Sequence, residues 1–522
     1  MGPIPALEER AEACAQRLLA ADSVLLASHI DADGLTSAAV AATALDRAGI
    51  EFETVFKKQL DEAEIASIAA REQGTVLFTD FGSGQLDVIA AHERAGDFTP
   101  VIADHHQPAD ADTEYHLNPL LEGIDGASEL SGAGAAYVLA RALGAATDGS
   151  NTDTRTERAA RREQGEAADG SLSEVRAASE TNREQGPATD GGAVTAEAES
   201  TGDNRDLAAL AVVGAVGDMQ AVGGELVGAN REIVTEGVEA GVLAEGTDLA
   251  FYGKQTRPLP KLLEYASEVR IPGLENESGA VAFLQELDLE LKSEGEWRRW
   301  VDLTDEERKT VASALVQRAL SRGVPSDRVE DIVATTYTLT AEEPGTELRD
   351  ASEFSTLLNA TARYERADVG LAVCLGDREA ALAQARQLLR NHRRNLSEGI
   401  SLVERQGVEQ ADHLQYFDAG EEIRETIVGI VAGMALGVDG VDGSQPIVAF
   451  ARKNEEETKV SGRGTGRLVG QGLDLSVVLG EAARSVGGDG GGHDIAAGAT
   501  IPAGEQEAFI EAADNLVAEQ IG

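Results

Sequence analysis

The sequence predicts an α/β protein with a parallel-sheet N-terminal domain, a helical middle segment and a smaller α/β C-terminal domain. Short apolar, strand-like runs alternate with helix-like segments over residues 20–110, which is the pattern of a parallel sheet. The middle of the chain is charged and mostly helical in pattern, and residues 447–500 return to strand and helix patterns around runs of glycine. The length of 522 residues agrees with about three domains. We place them at 1–245, 246–345 and 346–522.

Composition indicates a globular protein with an acidic surface. Hydrophobic residues make up 42% of the chain, and 92 acidic residues face 44 basic ones, for a formal net charge of −48. An acid excess that is spread over a folded chain is typical of a salt-adapted, halophilic protein rather than of an acidic tail.

Two isolated cysteines, Cys14 and Cys374, exclude a disulfide framework and a paired-cysteine zinc site. No run of about 18 apolar residues occurs, and the N-terminus lacks the profile of a signal peptide. We therefore expect a soluble, cytoplasmic protein without a membrane partner.

The first helix of the N-terminal domain is predicted over residues 5–20, from apolar residues at helical spacing. The strand at 23–28 then runs into the sequence HIDADG, in which His29, Asp31 and Asp33 alternate. In an extended conformation these three side chains would point the same way. Gly34 would permit a turn before a helix over 35–49. The alternative is an Asp-Gly loop with solvated acids.

The pattern then repeats with strands at 52–56 and 75–79, a helix at 61–72, and a strand that ends before Asp104. Asp80 follows one of these strands, and Asp104, His105 and His106 follow the next. Because ligands gather beyond the carboxyl ends of parallel strands, we expect these side chains to share one edge of the sheet. The alternative for the Asp-His-His run is a polar turn whose histidines face solvent.

A fourth segment with a candidate site residue follows a stretch of low-complexity sequence. A helix is predicted over 131–144, and residues 145–204 then lose almost all large apolar side chains and repeat the sequences REQG and ATDG. We interpret 145–204 as a disordered, low-complexity insertion. An apolar helix at 206–217 follows it and ends at Asp218, a carboxylate that needs a partner.

A ligand set of several carboxylates with one or two histidines favours Mn²⁺ or Mg²⁺ as the bound ion. Five or more candidate ligands exceed the needs of one ion, and two ions would suit an in-line displacement at phosphorus. The predicted reaction is hydrolysis of a phosphoester or a phosphoanhydride.

In this order and at these separations, HIDADG, FTD, ADHH and VGDM resemble the four motifs of the DHH phosphoesterases. The resemblance implies a DHH catalytic domain in which Asp80 bridges two metal ions. It also implies that His29 is a further ligand or orients one, that Asp104 orients the histidine pair, and that His106 faces the scissile phosphate. The metal ligands that it implies are Asp31, Asp33, Asp80, His105 and Asp218.

The C-terminal part contains SGRGTGR and, after a helix-like segment, GGDGGGHDIAAGA. Consecutive glycines let backbone N–H groups approach an anion closely, although a glycine run alone is more often a flexible loop. The two stretches together resemble the substrate-binding DHHA1 domain that accompanies DHH domains in RecJ-like exonucleases and in oligonucleotide phosphodiesterases. The contacts to substrate that this resemblance implies are Ser461, Arg463, Gly491, Gly492 and His493, with Arg467 weaker.

Several residues outside these motifs are also candidates for contacting nucleic acid, and some of them can be explained by packing or solvation alone. Trp297 and Trp300 in the middle segment can stack bases or fill a helix interface. The segment 350–376 resembles the archaeal RecJ-like branch, and it offers Asn359 and Arg363 as substrate candidates. The basic cluster at 386–394 can track a nucleic-acid backbone or form a solvated helix face.

The expected function is that of a metal-dependent, single-strand-specific exonuclease that releases mononucleotides in DNA repair or replication. Family resemblance favours 5′ to 3′ polarity on DNA, with RNA as another substrate. One alternative is a phosphodiesterase for short oligonucleotides or cyclic dinucleotides. A second alternative, from a different class, is a mainly structural partner of the GINS replication complex.

Overall fold

The computed structural model describes residues 2–149, 202–222, 224–266, 269–438 and 440–521. The chain forms two compact units, Met1–Arg386 and Gln387–Gly522. Among the described residues, no helix combines the length and the apolar character needed to cross a membrane.

The first unit is built on a five-stranded sheet in the order β2-β1-β3-β4-β5, in which every neighbouring pair is parallel. The neighbouring interior strands β1 and β3 are buried along most of their length, as their continuous apolar sequences predict. The parallel sheet predicted from alternating strands and helices is thus confirmed. Its strands are β1 (Ser23–His29), β2 (Glu51–Lys57), β3 (Thr75–Thr79), β4 (Thr99–Ala103) and β5 (His116–Leu117).

Seven helices accompany this sheet in the described part of the unit's first 240 residues. Helices α2, α5 and α6 pack on one another, and Gly214 of α6 permits the close approach, because a Cβ there would lie 2.4 Å from the Ala133 Cβ of α5 and 2.5 Å from the Thr36 Oγ1 of α2. The helices are α1 (Glu8–Leu19), α2 (Ala32–Arg47), α3 (Glu62–Ala69), α4 (Leu86–Ala95), α5 (Gly132–Gly149), α6 (Ala208–Gly217) and α7 (Gly228–Glu239).

Helix α2 begins earlier than the sequence predicts. Asp31 caps it, with Oδ1 accepting a hydrogen bond from the Gly34 backbone N–H at 3.0 Å, so Asp33 lies in the first helical turn. The prediction that His29, Asp31 and Asp33 alternate along an extended segment is therefore wrong. Gly34 is required for close approach, because a Cβ there would lie 2.3 Å from the His29 carbonyl oxygen.

The predicted insertion at 145–204 is only partly within the described residues. Residues 145–149 continue helix α5, and Asn204 is buried, where its side chain donates to the Ala140 carbonyl at 2.7 Å. Residues 150–201 lie outside the described residues.

The middle of the chain has its own apolar core, to which Phe283 and Leu315 contribute. Trp300 is buried in this core and its Nε1 donates to Asp248 at 2.9 Å, whereas Trp297 is partly exposed beside Lys292. Trp300 is therefore a packing residue. The elements are hairpin strands β6 (Ala221–Val222) and β7 (Glu225–Leu226), paired strands β8 (Leu243–Leu249) and β11 (Val333–Leu339), hairpin strands β9 (Lys292–Ser293) and β10 (Glu296–Trp297), and helices α8 (Leu259–Glu264), α9 (Glu277–Gln285), α10 (Asp305–Ser321) and α11 (Ser326–Glu330).

The division between the two units falls after Arg386, while the domain boundary at residue 346 remains a prediction. Helices α12 (Ala351–Arg363) and α13 (Ala367–Cys374) belong to the first unit, because they pack on α2 and, for α12, also on α6. Helix α14 (Ala380–Gln406) begins in the first unit and ends in the second.

The second unit is built on a six-stranded mixed sheet in the order β12-β13-β14-β15-β17-β16, with apolar clusters on helices α14 and α15 and on helices α17 and α18. The predicted α/β C-terminal domain is confirmed. Its elements are β12 (Glu409–Gln410), β13 (Gln415–Asp418), α15 (Val428–Ala435), β14 (Ile447–Arg452), β15 (Glu457–Arg463), α16 (Gly466–Gly470), α17 (Leu475–Ser485), β16 (Asp489–Gly492), β17 (Ala496–Pro502) and α18 (Gln506–Ile521).

Candidate metal centre

The acidic and histidine residues of the four motifs meet at the carboxyl edge of the first sheet. His29 ends β1, Asp80 follows β3 and His105 follows β4, while Asp218 comes from the end of α6. The expectation that these side chains share one edge rests on parallel pairing, and the structure brings them together.

Three groups of side chains offer ligand atoms within 4.8 Å of one another at this edge. The first consists of His29, Asp31 and Asp80, the second of Asp33, His105 and Asp218, and the third of Asp80, Asp104, His105 and His106. The Asp80 carboxylate connects the first two groups: Oδ2 is 3.5 Å from His29 Nδ1 and Oδ1 is 3.2 Å from His105 Nε2. Each oxygen of Asp80 therefore faces a different group.

The backbone of Asp80 adopts a left-handed conformation with φ of 59°. A non-glycine residue in that region costs on the order of 1 kcal/mol or more, so the rest of the fold must hold it there. Its N–H donates to the Ala103 carbonyl at 3.1 Å, and Gly132 leaves room for its side chain. A Cβ at Gly132 would lie 2.4 Å from Asp80 Oδ1.

Asp33 is fixed by the N-terminus of helix α5. Its two carboxylate oxygens accept hydrogen bonds from the backbone N–H groups of Gly132 and Ala133 at 2.7 and 2.9 Å. These donors also bring the partial positive charge of the helix N-terminus to the carboxylate. Burial and the neighbouring charges of Asp80 and Asp218 nevertheless raise the pKa of Asp33 above its ordinary range.

His105 is oriented by a backbone carbonyl. Its Nδ1 lies 2.7 Å from the Gly126 carbonyl oxygen, which accepts a hydrogen bond from Nδ1–H and leaves Nε2 directed at the carboxylates. Gly126 passes so close to His105 that a Cβ would lie 2.0 Å from the His105 carbonyl oxygen. This partner has no signal in the sequence motif, because 21 residues separate it from His105.

Asp104 holds the second histidine rather than the His105 ring. Its fully buried carboxylate accepts from His106 Nδ1 at 2.8 Å, from the His105 N–H at 2.8 Å and from the Ser83 N–H at 2.9 Å. Asp104 therefore fixes the His106 ring through a side-chain contact and fixes His105 only through its backbone.

The titration behaviour of the cluster reflects its dense negative charge. Burial alone would lower the pKa of His29 and His105, but hydrogen bonds to the neighbouring aspartates raise each to about 11. Burial alone would raise the pKa of Asp80, yet its bonds with the two histidines hold it below the ordinary range. Protons on the two imidazoles thus partly balance the carboxylates.

The donor set fits a divalent metal. Carboxylates that are buried this close together repel one another unless a cation offsets their charge. Oxygen ligands with a minority of imidazole nitrogens suit hard cations such as Mn²⁺ and Mg²⁺. The acidic cluster can therefore bind metal.

Helix α12 contributes to the N-terminus of α2, which carries two of these acids. Asn359 Oδ1 accepts from the Ala32 N–H at 3.1 Å, and the negative charge of Asp31 acts on the partly buried Arg363. Burial lowers the pKa of Arg363, and the charge of Asp31 opposes that effect. Asn359, predicted as a substrate candidate, has its carbonyl oxygen engaged with the protein.

A cleft of about 620 Å³ opens beside the cluster. His106 is 55% exposed in its side chain and contributes to the lining. The rest of the lining consists of His29, Asp80 and Asp104 from the cluster, of residues 58–62, and of Phe81, Gly82, Gly84, Gln85 and Val88.

The candidate substrate residues of the second unit lie on neighbouring strands. Ser461 on β15 pairs with Gly498 on β17, which pairs with Gly491 on β16, and Arg463 and Gly492 follow at the same end of the sheet. His493 follows β16, with its N–H donating to the Ala496 carbonyl at 2.9 Å. Arg467 lies apart, on helix α16.

The glycine run predicted as an anion-binding nest is an edge strand. A Cβ at Gly490 would lie 2.6 Å from the Ala499 Cβ, and Gly492 has a φ of 144°, so the strand depends on glycine for close approach and conformation. An edge strand still presents alternate N–H groups to a ligand.

Gln220 and Asn230 are site residues that the sequence reasoning missed. Gln220 is fully buried and its Nε2 lies 2.9 Å from Asp218 Oδ2. Its position two residues after a candidate ligand is the one sequence signal that points to it. Asn230, on helix α7, contacts Gln220 and offers no such signal.

Comparison with known families gives three matches along the chain. Residues 23–161 match the DHH family, N-terminal domain, residues 251–333 match the DHH-CID domain, and residues 412–519 match the DHHA1 domain. An uncharacterized protein of Methanocaldococcus jannaschii is 25% identical over 502 residues, which is 95% of this chain and 93% of that protein.

Three solved structures share the fold over almost the whole chain. RecJ from Thermus thermophilus in complex with Mn²⁺ has a TM-score of 0.56 at 17% identity, covering 99% of this chain and 55% of that one. The exonuclease RecJ bound to manganese has a TM-score of 0.56 at 16% identity and coverages of 99% and 96%. CDC45 from Entamoeba histolytica has a TM-score of 0.58 at 10% identity and coverages of 98% and 97%.

This chain therefore spans about half of the Thermus RecJ chain and nearly the full length of the other two. At these identities the likeness concerns the fold. Together, the matches identify a DHH N-terminal domain, a DHH-CID domain and a DHHA1 domain in this chain, and the chain shares its fold with RecJ.

Proposed function

We propose that this protein is a two-metal-ion phosphodiesterase that degrades single-stranded nucleic acid from one end. The observation that carries the proposal is the Asp80 carboxylate, whose two oxygens face two separate ligand groups. The first group would hold one cation through His29 and Asp31. The second would hold another through Asp33, His105 and Asp218, with Asp80 bridging.

A bound pair of divalent cations supplies an activated water nucleophile and neutralises charge on the phosphoryl oxygens. The protein's own contribution begins with orientation. Hydrogen bonds from Gly132 and Ala133 fix Asp33, and the Gly126 carbonyl fixes His105, so each ligand is already aimed before substrate arrives.

His106 is the group that would contact the scissile phosphate. Its hydrogen bond with Asp104 raises its pKa and favours the imidazolium form, and its exposed ring lines the cleft. With Nδ1 donating to Asp104, Nε2–H is available to donate to a phosphate oxygen. This contact would stabilise negative charge that develops during displacement.

The second unit would hold the substrate strand. Ser461, Arg463, Gly491 and Gly492 share one end of the sheet, with His493 next to them, and the edge strand presents alternate N–H groups there. A guanidinium, a hydroxyl and backbone N–H groups together suit phosphate oxygens. Single-stranded DNA is the favoured substrate and RNA the other, with 5′ to 3′ polarity and a place in DNA repair or replication.

The test is degradation of 5′-labelled and 3′-labelled single-stranded DNA and RNA by the full chain with Mn²⁺ at high KCl. The comparison variant is Asp80→Asn, and the matched control is Asp97→Asn, which removes a carboxylate paired with His92 at 2.7 Å outside the cluster. We expect stepwise loss from one end with wild type and with the control, and at least about a hundredfold loss with Asp80→Asn.

Cleavage of dinucleotides or cyclic dinucleotides alone would overturn the exonuclease proposal in favour of the short-substrate class. Absence of any cleavage would favour a second candidate, a mainly structural partner of the GINS replication complex. The observation in favour of this candidate is the likeness in fold to CDC45 along nearly the whole length of both chains.

A further inference from the structure

Gln220 occupies a fully buried position behind the second ligand group. It follows Asp218 by two residues, just past the end of helix α6, and Asn230 of helix α7 packs against it. A buried amide must satisfy two donors and an acceptor, so its hydrogen bonds define what it does.

The orientation of the Gln220 amide is fixed by its neighbours. Its Oε1 accepts from Asn230 Nδ2 at 2.6 Å, and its Nε2 lies 2.9 Å from both the Gly126 carbonyl oxygen and Asp218 Oδ2. The flipped amide would place Oε1 against two acceptors and Nε2 against a donor. Only the observed orientation satisfies all the partners.

Both N–H groups of Nε2 are therefore engaged, one with a ligand and one with the carbonyl that orients another ligand. The Gly126 oxygen accepts from His105 Nδ1 at 2.7 Å as well as from Gln220. The His105 Nδ1 lies 3.4 Å from Gln220 Nε2, which is a contact between two donors rather than a hydrogen bond. A single side chain thus braces Asp218 directly and His105 through Gly126.

The first ligand group makes no direct hydrogen bond to this amide. Among the described contacts, the side chains of His29, Asp31 and Asp80 contact one another, His105 and the Gly34 N–H, and none contacts Gln220 or Asn230. The amide reaches this group only indirectly, through Gly126 and His105. Loss of the Gln220 amide should therefore affect the two groups unequally.

We infer that Gln220 is a positioning residue that selectively supports one of the two metal positions, the one formed by Asp33, His105 and Asp218. Asn230 acts one step further out by fixing the Gln220 amide. The inference rests on the proposed two-metal function. Partners that orient metal ligands commonly contribute about 10- to 100-fold to metal affinity.

The test is titration of the full, metal-free chain with Mn²⁺ alone, followed by calorimetry and electron paramagnetic resonance. The variant is Gln220→Met, which keeps the length of the side chain and removes both donors. The matched control is Gln415→Met, which removes a fully buried amide that bridges the backbone of Asp442 in the second unit. Asn230→Ala is the second variant, in case Gln220→Met does not fold.

We expect wild type and Gln415→Met to bind two Mn²⁺ ions that give a spin-coupled signal. Gln220→Met should bind one ion with unchanged affinity and the other about 10- to 100-fold more weakly, with the signal of an isolated ion at equimolar metal. Asn230→Ala should weaken the affinity for the same ion by a smaller factor. These results would support the inference, because a general loss of protein stability would not weaken the affinity for one ion and leave the other unchanged.

Two unchanged affinities in a folded Gln220→Met protein would overturn the inference, and so would equal weakening of both ions. If Gln220→Met is unfolded, an unchanged second affinity in Asn230→Ala overturns it instead. Wild type that binds fewer than two ions would contradict the proposed function itself, which separates the two failures.

Discussion

His106 Nδ1 lies 2.8 Å from Asp104 Oδ1, and the same carboxylate also accepts from the backbone N–H groups of Ser83 and His105. One buried acid therefore fixes both the ring that faces the cleft and the turn that carries it. An amide in its place has one acceptor oxygen and would set its NH₂ group against one of these donors.

Asp104→Asn should lower activity about 10- to 100-fold, because the Asp104 carboxylate orients the His106 ring and favours its protonated form. Loss of the carboxylate should also lower the pKa of His106, since that carboxylate is what raises it. In the pH–rate profile of Asp104→Asn, the decline of activity on the alkaline side should consequently begin at a lower pH than in wild type. Asp97→Asn is the control, and an unchanged profile in Asp104→Asn would argue against a protonated His106.

Gly214→Ala should damage the cluster although it adds a single methyl group inside helix α6. The new Cβ would lie 2.4 Å from Asp33 Oδ1 and 2.5 Å from Thr36 Oγ1. Overpacking of this kind typically costs about 1–3 kcal/mol in the free energy of unfolding, and it should displace Asp33 and weaken Mn²⁺ binding. Urea unfolding and Mn²⁺ titration would measure the two effects.

Gly246→Ala is the matched control for that substitution, because no atom lies within 4 Å of a Cβ at Gly246 in strand β8. It should leave Mn²⁺ affinity unchanged. Equal Mn²⁺ affinity in the two variants would show that Gly214 does not make room for Asp33.

Mn²⁺ binding should release protons near neutral pH. The neighbouring aspartates raise the pKa of His29 and His105 to about 11, so both imidazoles carry a proton in the metal-free protein, whereas a ligand imidazole must be neutral. Affinity should rise with pH between about pH 6 and 9, by about tenfold per unit for each proton displaced.

Calorimetry in two buffers with different ionisation enthalpies would count the protons released. His105→Gln, which cannot carry the proton, should release fewer. Binding without proton release in wild type would mean that the histidines are neutral before metal arrives.

Glu353 should make the metal-free protein less stable as pH rises. Burial raises its pKa to about 7, while its carboxylate accepts from the Gln255 N–H at 2.9 Å and the Thr256 hydroxyl at 3.1 Å. Between the unfolded pKa near 4.5 and about 7, the native state binds more protons than the unfolded state, so stability falls with rising pH.

Glu353→Gln should remove that contribution, which amounts to at most about 3 kcal/mol. Urea unfolding at about pH 5 and pH 8 would compare the pH-dependent loss of stability in variant and wild type. Glu51→Gln, at an exposed strand position, is the control and should keep the wild-type dependence. An equal loss in Glu353→Gln would mean that this carboxyl is ionised throughout.

The sequence predicted the parallel sheet because the signal is local. Buried strands such as Thr75–Thr79 read as continuous apolar runs, and helix-like segments separate them. The acids and histidines follow the ends of those strands, so parallel pairing alone brings them to one edge. The family motifs added the assignment of ligands, which remains a prediction residue by residue.

The tertiary structure decided everything that depends on contacts between distant parts of the chain. Asp33 is held by the N-terminus of α5, about 100 residues away, and His105 is oriented by Gly126 and braced by Gln220. The start of α2 at Ala32 follows from the Asp31 cap, which a strand-like alternation of residues conceals.

The sequence by itself thus determined which chemical groups meet at the sheet edge, because the periodic patterns of strands and helices depend on residues that are close together in the sequence. Only the folded chain decided how those groups are oriented, since the hydrogen bonds that orient them come from Gly126, Gln220 and Asn230, on other segments. Long-range packing leaves no periodic pattern in a single sequence.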